Sequence, residues 1–429
     1  MKRIVASIGV AALGAACVQT SNAQGDGDKP WTASVALRGF YDDNIGTSKD
    51  NKVDSWGAEI SPTLAFYLRG DQTTAQLVYT YGYKYYDTKP PGNVDHDDQT
   101  HTIAASLLHA FNERTTISVS DSFVIGQEPD VLRAGADYAS FQRISGDNIR
   151  NFGSFTLNHQ FLPKFGIEAG YVNSLFNYAD SGPTYGVSGG SLTVTPSNSG
   201  LLDRMEQTAH LDARWTIQPT TIGLVGYAFS YAHYTGDEVI GIAIPPIMSD
   251  ARDARSHYLY AGAEHTFQPG LNGSLRAGAR FTDYFNSPAN ESGVSPYVLA
   301  SLNYDYSKDS SFQIGVSHDL SATDAFYGES SNGSITTSSE NTVAYLSWSH
   351  RIVPSLTFTA MGQFQYSTFQ GGIYSGESDQ YYLASASLTY QINRHIAATA
   401  SYHYDLLDSD IPGRGFDRNR VFLGATFTY

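Results

Sequence analysis

The sequence predicts an all-β fold, a single transmembrane up-and-down barrel of about eighteen antiparallel strands with short periplasmic turns and long extracellular loops. Three observations support this: side chains alternate with a period of two, short and long connections alternate strictly, and the chain stops in mid-strand on Tyr429. The periodic runs of about ten to thirteen residues are long enough for tilted strands to cross a bilayer. A soluble sandwich or propeller needs an apolar interior and does not explain the alternating connections.

The N-terminus has the pattern of a secretory signal peptide. It reads "MKRIVASIGVAALGAACVQTSNAQ", a basic start, an apolar run and a small-residue cleavage motif, so cleavage is predicted after Ala23. Lipidation of Cys17 is the alternative, although Gly14 stands where a leucine-like residue is usual. Residues 24–30 are then a short periplasmic segment, too short for a plug domain, and residues 31–429 form the barrel.

Composition limits the class of protein. Removing the signal leaves 429 − 23 = 406 residues with a formal charge of −16 − 2 = −18 and no cysteine, so disulfides are excluded. Such an acidic chain is unsuited to nucleic acid, which it repels. After the signal no run approaches twenty apolar residues, yet Tyr, Phe and Trp make up 13% of the chain. Aromatic residues and 40 glycines favour strands and turns.

The stretch "TTAQLVYTYGYKYYD", residues 73–87, shows the strand pattern most clearly. One parity is almost wholly apolar or aromatic, and the other is polar or small. The first set is Ala75, Leu77, Tyr79, Tyr81, Tyr83 and Tyr85. The same period recurs along the chain, with the apolar face predicted to contact lipid and the polar face to line the lumen.

Turn chemistry divides the chain into eighteen strands. Eight tight turns are predicted, at 69–71, 112–114, 162–164, 218–219, 268–270, 307–309, 352–354 and 393–394. Nine long polar loops lie between them, at 42–54, 87–99, 127–149, 179–203, 235–254, 285–294, 322–340, 367–378 and 406–416. Because polar edges are not tolerated in lipid, the first and last strands are predicted to pair.

Four histidines recur near the ends of strands that lead into turns: His109, His159, His265 and His350. They are too far apart around a closed sheet to share a metal ion. We interpret them as amphipathic side chains at the membrane boundary, beside the aromatic belt.

A barrel of sixteen to eighteen strands leaves an aqueous channel, so charged residues of the inward parity are candidates for lining the pore. Arg38, Arg418 and Arg420 are expected to meet where the barrel closes. Arg276 and Arg280 project inward, with Glu264 diagonally across a hairpin from Arg276. Glu206, Asp212 and Arg214 line the eighth strand. These charges could select solutes or could be salt bridges that brace the wall.

Two loops and one acidic cluster carry further hypotheses. Loop 127–149 mixes apolar and charged residues, so it is expected either to fold into the channel or to lie over its mouth. Loop 179–203 is expected to be exposed, with a small hairpin strand at 192–194. The cluster at 95–98, Asp-His-Asp-Asp, could bind a cation or assist catalysis, but a solvated acidic loop is the simpler interpretation. We therefore expect no enzyme activity, cofactor or metal.

Both ends of the barrel resemble known outer-membrane sequences. Gly424, Phe427 and Tyr429 resemble the C-terminal signal that the barrel-assembly machinery recognises. The opening "VALRGFYDDNIGTS" resembles the β-barrel porin group of Gram-negative outer membranes, whose members have an aromatic-Asp-x-Asn turn after the first strand, here Tyr41 to Asn44. Some members are linked to exopolysaccharide export, so the resemblance implies that role as an alternative.

The expected function is a porin-like outer-membrane channel for passive passage of small hydrophilic solutes. The alternative is the barrel of an exopolysaccharide export or envelope assembly system, or a surface-loop binding scaffold. A porin predicts inward loops and a charged constriction, whereas an export duct predicts a wide, unobstructed lumen. Expected partners are outer-membrane lipid and lipopolysaccharide, the barrel-assembly machinery, and small solutes or polysaccharide, with a homotrimer as an open oligomeric state.

Overall fold

The structure, a computed structural model, is a closed antiparallel barrel of eighteen strands. It describes residues 29–90, 95–127, 146–180, 182–188, 191–288, 291–325 and 335–429. The predicted signal peptide at 1–23 and most of segment 24–30 lie outside these residues. No helix of the described chain is long and apolar enough to cross a membrane.

The strands are numbered in chain order. The eighteen barrel strands are β1 Trp31–Asp42, β2 Ser55–Arg69, β3 Thr73–Tyr86, β4 Asp97–Asn112, β5 Thr115–Gly126, β6 Asn148–Leu162, β7 Phe165–Tyr178, β10 Arg204–Gln218, β11 Thr221–Tyr234, β14 Ala254–Gln268, β15 Leu271–Asp283, β16 Ser292–Ser307, β17 Ser310–Ser321, β18 Ser338–Val353, β19 Leu356–Gln370, β20 Ser378–Asn393, β21 Ile396–Ser409 and β22 Phe416–Thr428. The loops carry β8 Thr184–Ser188, β9 Ser191–Thr195, helix α1 Asn198–Leu202, β12 Val239–Gly241, β13 Ile247–Met248 and a 3₁₀ turn at Ser249–Arg252.

The predicted strand count and the alternation of eight short turns with nine long loops are both confirmed. Strands extend a few residues into several predicted loops; β21, for example, runs to Ser409. On β10 the outward side chains Leu211 and Trp215 are 52% and 57% exposed, whereas Asp212 between them is fully buried. The apolar parity therefore faces lipid and the polar parity faces inward, because successive strand residues point to opposite sides of the sheet.

The barrel closes at the seam, the antiparallel pairing of β1 with β22. It runs from Ser34 opposite Thr428 to Asp42 opposite Arg420. A Cβ added at Gly424 would lie 2.3 Å from the carbonyl oxygen of Leu37, so only glycine permits this approach of the two backbones. The ring of Tyr429 packs 5.8 Å from that of Trp31 across the seam. Strand β22 therefore closes the sheet by pairing with β1.

Loop 179–203 differs in part from the expectation. The predicted small strand is present as β9, paired with β8 in a hairpin. β8 is exposed as expected, but the part of the loop after the hairpin is not: Leu201 and Leu202 of α1 are buried and pack with Ile240, Ile247 and other apolar residues. This apolar cluster forms because the loop folds against its neighbours, which strand periodicity cannot indicate.

Candidate functional site in the barrel lumen

A charged cluster on four of five consecutive strands, β7, β10, β14 and β15, lies on the inner face of the barrel and is here called the wall network. It consists of Glu168, Asp212, Arg214, Glu264 and Arg276. Arg214 binds Glu264 through two hydrogen bonds of 2.8 and 2.6 Å and Glu168 at 3.0 Å. Arg276 lies 3.3 Å from both Glu168 and Asp212. Every member is mostly buried, so the charges compensate one another in the wall.

Glu264 lies diagonally across the β14–β15 hairpin from Arg276, two register positions away, and it binds Arg214 across the intervening strand β11. Small inward residues on β11 leave room for such contacts. At Gly226 the ring of Tyr260 crosses the strand and donates to Asp212 at 2.5 Å, and an added Cβ would lie 2.2 Å from both partners.

The three arginines expected to meet at the closure lie near one another in sequence register, but each binds its own carboxylate. Arg38 binds Glu59 at 2.5 Å, and Arg420 binds Asp405 at 2.7 Å. Arg418 donates from Nε to both oxygens of Asp42 at 3.0 Å. Each of these arginines is therefore compensated by a carboxylate of a neighbouring strand.

Arg280 lies higher in the lumen, on β15. Its Nη1 lies 3.2 Å from Asp319, and its Nε donates to the hydroxyls of Ser256 and Thr282 at 3.1 Å. Tyr258 donates to the same aspartate at 3.2 Å. Arg280 is therefore held by β14, β15 and β17, and its guanidinium has little freedom to move toward a passing solute.

Near the extracellular end, loop segments fold inward and are held by what we call the mouth network: Arg252, Asp324, Asp379 and Arg414. Arg252 donates to backbone carbonyls of Leu201 at 3.1 Å and Thr323 at 3.2 Å, so it joins two loops. Burial lowers the pKa of the Arg252 guanidinium from its ordinary value.

Arg414 completes the mouth network from the loop before β22. It binds Asp324 at 2.5 Å and Asp379 at 2.9 Å. Burial disfavours its charged form, but the two carboxylates outweigh burial and raise the pKa of Arg414. Beneath it Phe369 packs with Ala325 and other apolar residues, so the loop before β18 contacts the inner wall on a second side.

Two cavities flank the segment 321–324 in the mouth. One is lined by residues that include Arg204, Asp324, Asp379 and Arg414. The other is lined by residues that include Glu206, Arg252, Arg280 and Asp319. Ser321 and Ala322 line both cavities, so this segment stands between two charged spaces in the mouth.

The aromatic-Asp-x-Asn turn after β1 has a clear structural role at the seam. Asp43 accepts hydrogen bonds from the backbone and side-chain nitrogens of Asn419 at 2.6 and 2.7 Å. Asn44, which is fully buried, donates to the carbonyl oxygens of Ser48 and Asp417 at 2.8 Å. The turn therefore fastens the first loop to the last strand above the final backbone pair.

Comparison with known sequences decides the family. The family model described as Putative beta-barrel porin 2 matches residues 31–429. The chain belongs to this porin family. The resemblance drawn from the first strand and its loop is thereby confirmed, and the protein is a porin-like barrel of the Gram-negative outer membrane. The family indicates a channel rather than an enzyme, and the export-duct and scaffold alternatives are not favoured.

Solved outer-membrane proteins are similar to this porin at low identity. OpdK from Pseudomonas aeruginosa is 12% identical with a TM-score of 0.41, covering 93% of this chain and 99% of its own. OccAB4 from Acinetobacter baumannii is 14% identical with a TM-score of 0.42, covering 94% and 99%. A BenF-like porin from Pseudomonas fluorescens Pf-5 is 10% identical with a TM-score of 0.43, covering 93% and 99%. No curated protein matches the sequence.

Sequence reasoning missed most of the mouth of this porin. Arg252, Asp324 and Arg414 lie in loops without periodicity, and only their charge among apolar neighbours could have drawn attention to them. Asp203 was also missed; it accepts from the backbone of Tyr178 at 2.6 Å and from Ser199 at 2.7 Å, and burial raises its pKa. The hypothesis that loop 127–149 narrows the channel concerns residues mostly outside those described.

The acidic cluster at 95–98 shows no assembled site. His96 bonds through Nδ1 to the carbonyl of Tyr86 at 2.9 Å, and Asp98 binds Lys89 at 2.5 Å. Across the described residues, no group of three His, Cys, Asp or Glu side chains could hold a metal ion.

Proposed function

We propose that this porin is a diffusion channel for small hydrophilic solutes that prefers cations to anions. The observation that carries the proposal is the extracellular mouth, where inward loop segments and paired charges leave small polar cavities. Such a mouth fits a porin constriction, whereas a duct for a polymer calls for a wide, unobstructed lumen.

The preference for cations follows from where unbalanced charge lies. The nine long loops contain 7 basic and 20 acidic residues, a net charge of 7 − 20 = −13. By contrast, the lumen candidates Arg38, Arg214, Arg276, Arg280, Arg418 and Arg420 each bind a carboxylate. A negative entrance raises the local concentration of cations and repels anions. The lumen candidates would then shape the field locally rather than attract anions.

The test is single-channel recording of the refolded mature protein in planar bilayers, with a reversal potential measured in a salt gradient. We expect stable open steps and a reversal potential of the sign for cation preference, weakening as salt rises because exposed charges are screened. Absence of conductance from correctly folded barrels would refute the channel. Open steps with anion preference would refute only the proposed selectivity.

A further inference from the structure

A three-residue unit recurs on the outer wall near the periplasmic turns. Strands β4, β6 and β14 each carry a histidine three residues before the strand ends, opposite a threonine of the preceding strand. The distance from histidine Nδ1 to threonine Oγ1 is 2.8 Å for His109 and Thr73, 2.9 Å for His159 and Thr115, and 2.8 Å for His265 and Thr221.

A phenylalanine completes each unit two residues later on the same face. The rings of Phe111, Phe161 and Phe267 meet the edge of the histidine rings at 4.5, 4.5 and 4.6 Å. These phenylalanines are 55%, 51% and 60% exposed. Three hairpins of different sequence thus build the same surface, an exposed aromatic ring beneath an imidazole held in one orientation.

The other imidazole nitrogen, Nε2, has no hydrogen-bond partner among the described residues in any of the three units. We assign the threonine hydroxyl as the donor to Nδ1, so that the proton of the neutral ring lies on Nε2, where a protonated ring also carries a proton. Each unit therefore offers a hydrogen-bond donor to whatever surrounds the barrel at this height.

Lipid headgroups surround the barrel at this height. The short turns are on the periplasmic side, so the three histidines lie level with the headgroups of the phospholipid leaflet. An uncompensated cation accompanies one of the three units: Lys164 is exposed in the turn that follows β6. In the turn that follows β4 the exposed Arg114 stands beside the exposed Glu113, so this turn adds no net charge. The turn after β14 is Pro269-Gly270 and adds no charge.

We propose that the three units bind phospholipid headgroups of the periplasmic leaflet, with histidine Nε2 donating to the lipid phosphate. The exposed phenylalanine contacts the start of the acyl chain. Lys164 makes the unit at His159 selective for anionic phosphatidylglycerol, whereas the units at His109 and His265 do not distinguish lipid charge. The first two units are two strands apart, about 10 Å, so each can hold its own lipid.

The experiment uses the full mature protein in nanodiscs of equal phosphatidylglycerol and phosphatidylcholine. The protein is moved to mild detergent, and the lipids that remain bound are identified by native mass spectrometry. We expect phosphatidylglycerol to be retained over phosphatidylcholine by up to about twofold, because one unit of the three selects for charge. Replacing all three histidines with Asn keeps an amide able to bond the threonine but removes the outward donor, and should lower lipid retention by half or more.

Gln is the matched replacement, because its longer side chain carries a donor to the position of Nε2. The triple Gln variant should retain lipid like the unaltered protein. His101 and His257 supply the control: they bond Tyr79 and Tyr227 through Nδ1 at 2.9 and 2.7 Å, eight residues nearer the extracellular loops on β4 and β14. Changing both to Asn should leave retention of phospholipid unchanged.

The contribution of charge is tested separately by Lys164→Gln, which should bring the ratio of retained phosphatidylglycerol to phosphatidylcholine toward one without lowering total retention. Heat-modifiable migration verifies folding of each variant. Unchanged retention in the triple Asn variant, or equal loss in the Asn and Gln variants, would overturn the proposal. Displacement of the lipid by inorganic phosphate alone would show sites for the free ion and also overturn it.

Discussion

In both the wall network and the mouth network arginines bind oxygen acceptors, but the first network joins strands of the barrel and the second joins loops. In the wall network, Arg214 and Arg276 join strands that backbone hydrogen bonds already hold in register. In the mouth network, Arg252 and Arg414 join loop segments that lack such a ladder. Loss of a wall arginine should therefore alter the electric field and leave the shape intact, whereas loss of a mouth arginine should alter the opening itself.

Removing the loop before β18 is expected to have the largest effect on the channel. Replacing residues 322–337 with a short Gly-Ser linker removes Asp324 and the segment between the two cavities. We expect single-channel conductance to rise by about threefold or more, because the constriction sets the resistance of the pore. Shortening the hairpin 184–195, where Tyr185 and Val187 are exposed, is the control and should leave conductance unchanged. Equal conductance in both variants would place the constriction elsewhere.

A single change in the mouth network should have a smaller effect of the same kind. Arg414→Ala leaves Asp324 and Asp379 without this partner, so the loop should detach part of the time, with roughly a 1.5- to 2-fold rise in mean conductance and noisier open currents. The control is Arg255→Ala, which removes an exposed ion pair with Asp283. Such exposed pairs contribute little, so its currents should match those of the unaltered channel.

In the wall network, substitution should change selectivity rather than opening. Arg276→Ala leaves Glu168 and Asp212 with one cation fewer, so the cation-to-anion permeability ratio should increase by about twofold while conductance changes little. The reversal potential in a salt gradient measures this ratio. Arg351→Ala, which breaks a pair with Asp309 at the periplasmic turns, is the comparison. A shift toward anions would contradict the paired-charge interpretation.

A substitution at the seam is expected to lower the stability of the barrel and to leave its conductance unchanged. Asp43→Ala removes two hydrogen bonds to Asn419 outside the ladder, which should lower stability by about 1–3 kcal/mol because one partner is charged. The temperature at which the folded band disappears in a heat-modifiability assay measures this loss. Asp54→Ala, at the far end of the same loop, serves as the matched change. Equal melting of both variants would show that the turn does not fasten the seam.

The number of strands and the side of the sheet to which each side chain points could be predicted, because the alternation of apolar and polar residues along a strand is a local property. Leu211 and Asp212 reveal opposite faces from sequence alone. The partner of Arg214 could not be predicted, since its bond to Glu264 depends on the small residues of β11 and on the register of three strands. The contacts in the mouth were harder still to predict. Arg252 is buried between two loops that are distant in sequence, and the composition of those loops does not indicate that they come into contact or where.

The histidines of β4 and β14 have a consequence for the membrane in which the barrel is stable. On each strand eight residues separate the upper histidine from the lower one, His101 from His109 and His257 from His265. At about 3.4 Å per residue and a tilt of about 40°, these polar rings are roughly 20 Å apart along the bilayer normal. That span suits a thin hydrocarbon layer such as that of the bacterial outer membrane. In a thicker bilayer the rings would be drawn into hydrocarbon, so hydrophobic mismatch would disfavour residence in such a membrane.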